Sequence, residues 1–316
     1  MNVEPRRSIP IARRILPLAW IVCLPLLGIV LLALVLTRRA PDKPANVAAG
    51  AVPRRIIAIA PNTAEIVCEL GAADRLVAVG CYCKYPPRIA GLPRIGGLRD
   101  PDLEAMLALR PDLLMVRGRT AAVERLCRDN GIRVYHDPTE TLADIERAVL
   151  EIGELLGLGD RAADVVSRMR SELSSIRRSV AALPRPRVLF TNRNPGQLAA
   201  IYTVAKGSYL DELISLTGGE NIFGDQDTPY PLVGLEEILV RRPEVIIESL
   251  FGQGGGPGMR SAVAAQWRAV GRIPAVETGR VHVLTADYAT VPSPRVVRMA
   301  SDLVKIIHPE IAGVPE

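Results

Sequence analysis

The chain has 316 residues, of which 48% are hydrophobic and 23% are charged. This composition excludes a disordered or collagen-like chain, and the length predicts about two domains. The formal net charge of +5 comes from residues 1–50, which hold seven basic and two acidic side chains. Because the rest of the chain is neutral, we expect no nucleic-acid partner.

Near the N-terminus, residues 16–36 form an uncharged apolar stretch of 21 residues. A helix of this length crosses the hydrocarbon core of a bilayer, whereas the apolar core of a cleavable signal peptide is shorter and is closely followed by small residues. We therefore predict a transmembrane anchor over 16–36, with an uncleaved anchor favoured over a cleaved signal. A cytoplasmic segment, 1–15, precedes it, and a linker rich in proline and alanine, 37–53, follows it.

The flanking basic residues favour a cytoplasmic N-terminus, because the segment before the anchor carries slightly more of them than the segment after it. This orientation predicts a single-pass protein of the cell membrane. The folded part is then extracytoplasmic, either periplasmic or at the cell surface.

From residue 54 onward, apolar runs alternate with helical stretches, a pattern typical of parallel βα units. In the N-terminal lobe, 54–158, strands are predicted over 55–60, 75–79, 112–116 and 132–135, and helices over 63–70, 102–109 and 120–130. In the C-terminal lobe, 185–316, strands are predicted over 187–192, 244–248 and 280–284, and helices over 208–217, 234–241, 261–270 and 294–307.

An internal repeat indicates that both lobes follow one plan. The segment LEAMLALRPDLLM, 103–115, aligns with LEEILVRRPEVII, 235–247, at a constant offset of 132 residues. Each copy predicts a helix, a stop before Pro111 or Pro243, and a buried strand.

A long helix is predicted between the lobes, within residues 159–184. Its apolar residues recur every three or four positions and form one stripe: Val166, Met169, Leu173, Ile176, Val180 and Leu183. A coiled-coil dimer is the alternative, but the stripe covers fewer than four heptads. The predicted fold class is therefore α/β, with two Rossmann-like βα lobes bridged by one long helix and preceded by a single transmembrane helix.

Tyrosines stand out because aromatic residues make up only 4% of the chain. Five of them follow predicted strands: Tyr82, Tyr85, Tyr202, Tyr230 and Tyr288. Loops at the carboxyl ends of strands form the ligand crevice of α/β folds, and a tyrosine ring there can stack on a flat macrocycle. We predict that this set binds a ligand; half-exposed loop tyrosines without a function are the alternative.

Motifs for catalysis or metal binding are absent from the sequence. The run GQGGGPG, 252–258, lacks the ending of a phosphate-binding loop and predicts a mobile loop at the mouth of the crevice. The histidines are isolated, and no nucleophile elbow surrounds Ser208. We predict a binding protein with no catalytic residues, no metal site and no cofactor; a membrane-anchored α/β enzyme that uses the same crevice is the alternative.

Several segments resemble the substrate-binding proteins of ABC importers for cobalamin and ferric siderophores. They are IAPNTAEIVCELG (59–71), VGCYCKYPPRIAGLPRIGG (79–97), DLEAMLALRPDLL (102–114), TGGENIF (217–223) and SPRVVRMASDL (293–303). The resemblance covers about residues 54–309. It implies two lobes joined by a rigid helix, a corrinoid or iron-chelate ligand bound between them, and the permease dimer of an ABC importer as partner.

The resemblance also assigns roles to individual residues. It implies that Tyr82, Tyr230 and Asp287 contact the ligand. Two positions depart from the family pattern, because Leu98 stands where a tryptophan is common and Val291 where a basic residue is expected.

The resemblance further implies that one glutamate on each lobe docks against arginines of the permease. Glu104 and Glu236 hold the same place in the two repeat copies, and Glu237 is a substitute for Glu236. The alternative is that these acids only favour the helix dipole from the first turn of each helix.

Overall fold

A computed structural model describes residues 52–192, 201–250 and 258–311, all of which belong to one compact unit, Gly50–Glu316. The predictions for 1–15, 16–36 and most of the linker 37–53 lie outside the described residues, as does nearly all of the glycine run. Among the residues that are described, no helix combines the length and the hydropathy needed to cross a membrane.

The N-terminal lobe is built on a parallel sheet of four strands in the order β2-β1-β3-β4. Its elements are β1 (Ile56–Ala58), α1 (Pro61–Glu69), β2 (Leu76–Val79), α2 (Leu103–Ala108), β3 (Leu113–Arg117), α3 (Ala121–Asp129), β4 (Arg133–Asp137) and α4 (Leu142–Leu155). Short 3₁₀ turns lie at Ala73–Arg75 and Pro87–Ile89. Every strand and helix predicted in this lobe is present, and α4 is an addition.

Helix α4 begins at a reciprocal cap. Thr141 accepts the backbone N–H of Asp144 through its hydroxyl, and the Asp144 carboxylate accepts the backbone N–H of Thr141. Such a capping box satisfies two backbone donors that the first turn leaves unpaired.

The C-terminal lobe holds a mixed sheet of six strands in the order β10-β9-β5-β6-β8, with β7 also paired to β5. Its strands are β5 (Arg187–Asn192), β6 (Ile201–Thr203), β7 (Glu220–Asn221), β8 (Leu232–Val233), β9 (Val245–Ser249) and β10 (Val281–Leu284). Its helices are α6 (Tyr209–Leu216), α7 (Leu235–Arg241), α8 (Met259–Val270), α9 (Pro274–Glu277) and α10 (Val296–Ile307), of which α9 is an addition. Strand β6 runs antiparallel to both of its neighbours, β5 and β8. The prediction of parallel βα units did not include these antiparallel pairs.

Each of the two sheets contains four parallel strands, and these strands have the same order in both sheets. The order β2-β1-β3-β4 in the N-terminal lobe corresponds to β7-β5-β9-β10 in the C-terminal lobe, because β7, β9 and β10 all run parallel within the second sheet. The repeat found in the sequence thus reappears in the strand order.

The repeat extends to the backbone before each proline. Arg110 and Arg242, 132 positions apart, both adopt a left-handed conformation, with φ of 46° and 47°. The residue before a proline avoids the right-handed helical region. The left-handed turn therefore ends α2 and α7 in the same way and directs the chain into the following strand.

A matching acid fixes the start of each lobe's first strand. The Arg55 N–H donates to Oδ1 of Asp112 at 3.0 Å, and the Arg187 N–H donates to Oε2 of Glu244 at 2.8 Å. Both pairs are related by the same offset of 132 residues. The duplicated plan therefore includes side-chain contacts as well as strand order.

The helix predicted within residues 159–184 is α5 (Gly159–Ser179), which ends five residues before the predicted limit. Val166, Met169 and Leu173 are buried in a cluster that includes residues of both lobes. The helix packs on α4 of the N-terminal lobe and on α10 of the C-terminal lobe. Helix α5 therefore packs against both lobes through apolar contacts. The exact lobe boundaries stay predictions.

Candidate ligand-binding cleft

A cleft of about 450 Å³ lies between the two lobes. The N-terminal lobe contributes Ala60, Pro61, Asn62, Tyr82, Leu98 and Arg117, and the C-terminal lobe contributes residues that include Phe190, Asn192, Tyr202, Tyr209, Tyr230 and Val291. Several of these residues lie at or just beyond the carboxyl ends of parallel strands, which is where α/β sheets form ligand crevices. The volume falls in the range of small-molecule sites.

Three of the predicted tyrosines line this cleft together. Tyr82 of the N-terminal lobe is 54% exposed, and Tyr202 and Tyr230 of the C-terminal lobe are 58% and 40% exposed. An exposed aromatic side chain does not contribute to folding stability the free energy that its burial would provide. The cleft therefore presents exposed aromatic surface from both lobes.

The two positions that depart from the family pattern also lie in the cleft. Leu98 and Val291 both belong to the lining. Both positions therefore carry aliphatic side chains that add apolar surface to the cleft.

The hydroxyl groups of two lining tyrosines are held neutral. The pKa of Tyr230 is raised to about 12, mainly by burial and secondly by the negative charge of Glu140. Burial likewise raises the pKa of Tyr209, whose hydroxyl has no hydrogen-bond partner among the described residues. At neutral pH both phenols therefore keep their protons and can donate hydrogen bonds.

The other predicted site residues gather around Arg295 and are not part of the cleft lining. The Asp287 carboxylate accepts a hydrogen bond from Nη1 of Arg295 at 2.7 Å. The guanidinium carbon of Arg295 lies 4.0 Å from the Tyr85 ring centroid and 5.4 Å from that of Tyr288. The Tyr288 hydroxyl donates to Asp302 at 2.6 Å. Tyr85, Asp287 and Tyr288 thus hold the arginine.

Arg295 connects the two lobes through a buried ion pair. Its Nε donates to Oε2 of Glu65 on α1 at 2.9 Å, its Nη2 donates to Oε1, and the Ser293 hydroxyl donates to the same carboxylate at 2.5 Å. The side chains of Glu65 and Arg295 are only 5% and 9% exposed. Burial raises the pKa of Glu65 against the opposing effect of these hydrogen bonds.

A second link between the lobes involves the segment before α4. The Tyr209 N–H donates to the Glu140 carbonyl at 2.7 Å, and the Leu142 N–H donates to Oε2 of Glu212 at 2.7 Å. These bonds hold the start of α6 against the N-terminal lobe.

One ion-pair cluster reaches the cleft from the N-terminal lobe. Arg117, the last residue of β3, donates to Oδ2 of Asp137 at 3.2 Å and to Oε1 of Glu140 at 2.6 Å. Asn62 donates to the same oxygen of Asp137 at 2.8 Å. Asn62 and Arg117 are both lining residues, so the cluster presents amide and guanidinium groups to the cleft.

Sequence reasoning did not identify Asn62, Arg117 or Tyr209 as site residues. The sequence contains a pattern that could have identified two of them. Arg117 directly follows the apolar run LLMV, and Asn62 follows the first strand. Polar residues at those places face the crevice of a parallel sheet. Tyr209 carries no such signal, because its position in a helical pattern suggests a core residue.

The predicted docking glutamates lie at corresponding places on the surface. Glu104 is in the first turn of α2 and Glu236 in the first turn of α7, and both are exposed. Glu237 differs, because it accepts a hydrogen bond from Nε of Arg241 at 3.1 Å. Within the part of the chain that the structure describes, no ion pair involves Glu104 or Glu236.

Ser208 and the cysteines of the loop after β2 have no role in the cleft lining. Ser208 caps α6 by accepting the Asp211 N–H. Cys83 is buried and Cys81 exposed, and both are free thiols. The described ranges contain no group of three or more histidine, cysteine or acidic residues that could hold a metal ion.

Comparisons with known proteins agree on one family. The model of the family described as "Periplasmic binding protein" matches residues 56–288. A vitamin B12-binding protein of Vibrio cholerae serotype O1 is 31% identical over 244 residues, which are 76% of this chain and 84% of that protein. A vitamin B12-binding protein of Photorhabdus laumondii is 26% identical over 262 residues, with shares of 82% and 89%.

Solved structures show the same fold. The periplasmic vitamin B12 binding protein of Vibrio cholerae has a TM-score of 0.66 at 29% identity, and the match covers 81% of this chain and 96% of that one. A periplasmic heme-binding protein from Pseudomonas aeruginosa has a TM-score of 0.73 at 23% identity, with shares of 82% and 94%. At the latter identity the likeness concerns the fold alone.

Proposed function

The chain belongs to the periplasmic binding protein family, and from this premise we propose that it is the substrate-binding component of an ABC importer. It captures a corrinoid or an iron chelate between its lobes and delivers the ligand to a membrane permease. The family and its similar relatives are binding proteins, so the chain is not an enzyme.

One observation carries this proposal above the others. Tyr82, Tyr202 and Tyr230 converge from two lobes on one cleft while remaining 40% to 58% exposed. Exposed rings that line one cleft from two lobes suit a flat, partly apolar ligand that covers them on binding.

The names of the relatives support a metal chelate as the ligand. Relatives that align over most of the chain are vitamin B12-binding proteins, and several structures with the same fold are heme-binding proteins. A corrinoid and a haem are both flat macrocycles around a metal ion, and exposed tyrosine rings can stack on such a shape. We assign ligand contact to Tyr82, Tyr202 and Tyr230. Tyr85, Asp287 and Tyr288 support the cleft indirectly through Arg295.

Delivery requires a surface that the permease recognises, and we assign it to Glu104 and Glu236. Both carboxylates are exposed at the same place of a duplicated element. Two equivalent acids on two related lobes match a two-fold partner that offers two basic sites. Glu237 is the weaker candidate because it is already paired with Arg241.

The docking assignment predicts the effect of Glu104→Lys combined with Glu236→Lys. Cells that express the cognate permease and the double variant should accumulate no labelled vitamin B12 above background, because like charges now meet at the docking surface. Binding of vitamin B12 to the purified variant should stay within twofold of the wild-type value, since both sites lie outside the cleft.

The matched control reverses two other exposed glutamates, Glu154→Lys and Glu172→Lys. This control should transport normally. Normal uptake by the Glu104/Glu236 variant would refute the docking role, and loss of uptake by the control would show that charge reversal alone is harmful. Absence of uptake with the wild-type chain would count against the importer function itself.

We also propose that residues 16–36 anchor the protein in the cell membrane, with the lobes on the extracytoplasmic side. The apolar length of this segment and the family's periplasmic members support this location. An anchored binding protein stays close to its permease, which raises the effective concentration of each for the other.

A further inference from the structure

The charge of the cleft bears on which chelate it accepts. Among the described lining residues, Arg117 is the only one with a charged side chain. A lone guanidinium in a cleft attracts carboxylate and phosphate groups. The chemistry around Arg117 therefore decides whether the cleft favours an anionic ligand.

Arg117 is more than neutralised by its neighbours. Its two terminal nitrogens donate to Asp137 at 3.2 Å and to Glu140 at 2.6 Å. The Asp137 side chain is fully buried and is fixed further by Asn62 and by the Thr139 hydroxyl. One positive charge thus faces two negative charges, and each terminal nitrogen of the guanidinium donates to a protein carboxylate.

Glu140 places its negative charge beside the cleft wall. Although its side chain is 43% exposed, its carboxylate lies close enough to Tyr230 to contribute to the raised pKa of that lining phenol. A field that disfavours a phenolate also disfavours a carboxylate of the ligand at the same place.

The remaining polar lining is uncharged. It consists of amide and hydroxyl groups: Asn62, Asn192, Thr203, Thr290 and the tyrosines. The buried Tyr209 hydroxyl has no partner among the described residues, so it can donate to an acceptor on the ligand. Neutral donors and acceptors of this kind match peripheral carboxamides, which present both a donor and an acceptor.

We propose that Glu140 is a specificity-determining residue, which neutralises Arg117 together with Asp137 and so makes the cleft selective for chelates whose macrocycle carries no carboxylates. This inference rests on the proposed function and deepens it. Cyanocobalamin, whose corrin ring carries carboxamides, belongs to the accepted class. Haem, which carries two carboxylates, belongs to the disfavoured class.

The test compares wild type with Glu140→Gln, in the full chain held in lipid nanodiscs, with empty nanodiscs as the blank. Glutamine keeps the shape and can still accept a hydrogen bond from Arg117, but it removes the charge. The dissociation constants of cyanocobalamin and of haem are measured by equilibrium dialysis. Glu146→Gln is the matched control, because Glu146 also pairs with an arginine, but that arginine, Arg170, is not part of the cleft lining as Arg117 is.

We expect wild type to bind cyanocobalamin more tightly than haem. Glu140→Gln should lower the dissociation constant of haem about tenfold or more, while that of cyanocobalamin stays within twofold. The control should change neither constant. Retained cyanocobalamin binding by Glu140→Gln shows that this variant is folded.

Two results would overturn the inference while leaving the proposed function intact: haem bound more tightly than cyanocobalamin by wild type, or a haem constant that Glu140→Gln leaves unchanged. Binding of neither chelate by any of the proteins would overturn both the inference and the proposed function.

Discussion

Replacing Arg295 by methionine should lower the free energy of unfolding by about 3 to 5 kcal/mol. The substitution keeps much of the side-chain volume, but among the described residues it leaves the buried Glu65 carboxylate with Ser293 alone as a hydrogen-bond donor. It also leaves Asp287 without its ion pair. A buried carboxylate that loses its cation must stay charged in a poorly solvated place or take up a proton, and both are unfavourable. Urea unfolding at neutral pH measures the effect.

A double variant separates the loss of the pair from the loss of packing. Glu65→Leu combined with Arg295→Met should recover most of the lost stability, because apolar residues replace a buried ion pair at little cost. The control is Arg272→Met, since Arg272 is 93% exposed and its pair with Glu277 is a surface contact. Arg272→Met should lower the free energy of unfolding by no more than about 1 kcal/mol. A loss of that small size in Arg295→Met would show that the pair between the lobes is not important for stability.

Replacing Tyr82 and Tyr230 together by alanine should weaken ligand binding by about two orders of magnitude or more. Stacking of an aromatic ring on a flat ligand contributes on the order of 1 to 3 kcal/mol per ring, and the two rings come from opposite lobes. Titration of the full chain with cyanocobalamin, followed by equilibrium dialysis, measures the change.

Two further variants define the cause. Tyr82→Phe with Tyr230→Phe keeps the rings and should retain most of the affinity. Leu232→Ala removes an equally exposed apolar side chain that is not part of the described lining, and it should have no effect. An alanine double variant that binds as well as wild type would remove the tyrosines from the binding site.

Sequence periodicity predicted most of the long elements of the fold, and helix α4 (Leu142–Leu155) is the exception. Strand β5 has the predicted bounds, and the other predicted strands and helices differ from their observed bounds by a few residues. Strands β6, β7 and β8 were not predicted because they have only two or three residues, too few for an alternating pattern. Helix α4 was missed although Thr141 and Asp144 form a capping box at its start.

The site could be predicted only in part, for a physical reason. The position of a tyrosine after a strand places it at the correct edge of a sheet, but the local backbone decides which way the ring turns. Tyr82 therefore lines the cleft while Tyr85, three residues later, packs on Arg295. The pairing of Glu65 with Arg295 joins residues 230 positions apart, and no local pattern in one sequence indicates such a contact.

The central claim is that the cleft between the lobes holds a metal chelate, and anomalous X-ray diffraction tests it most directly. Crystals grown with cyanocobalamin, measured at the cobalt absorption edge, should show one strong peak per chain between Tyr82, Tyr202 and Tyr230. Tyr82→Ala with Tyr230→Ala, crystallised in the same way, should show a much weaker peak. A peak elsewhere on the protein, or no peak with cyanocobalamin and none at the iron edge with haem, would contradict the account.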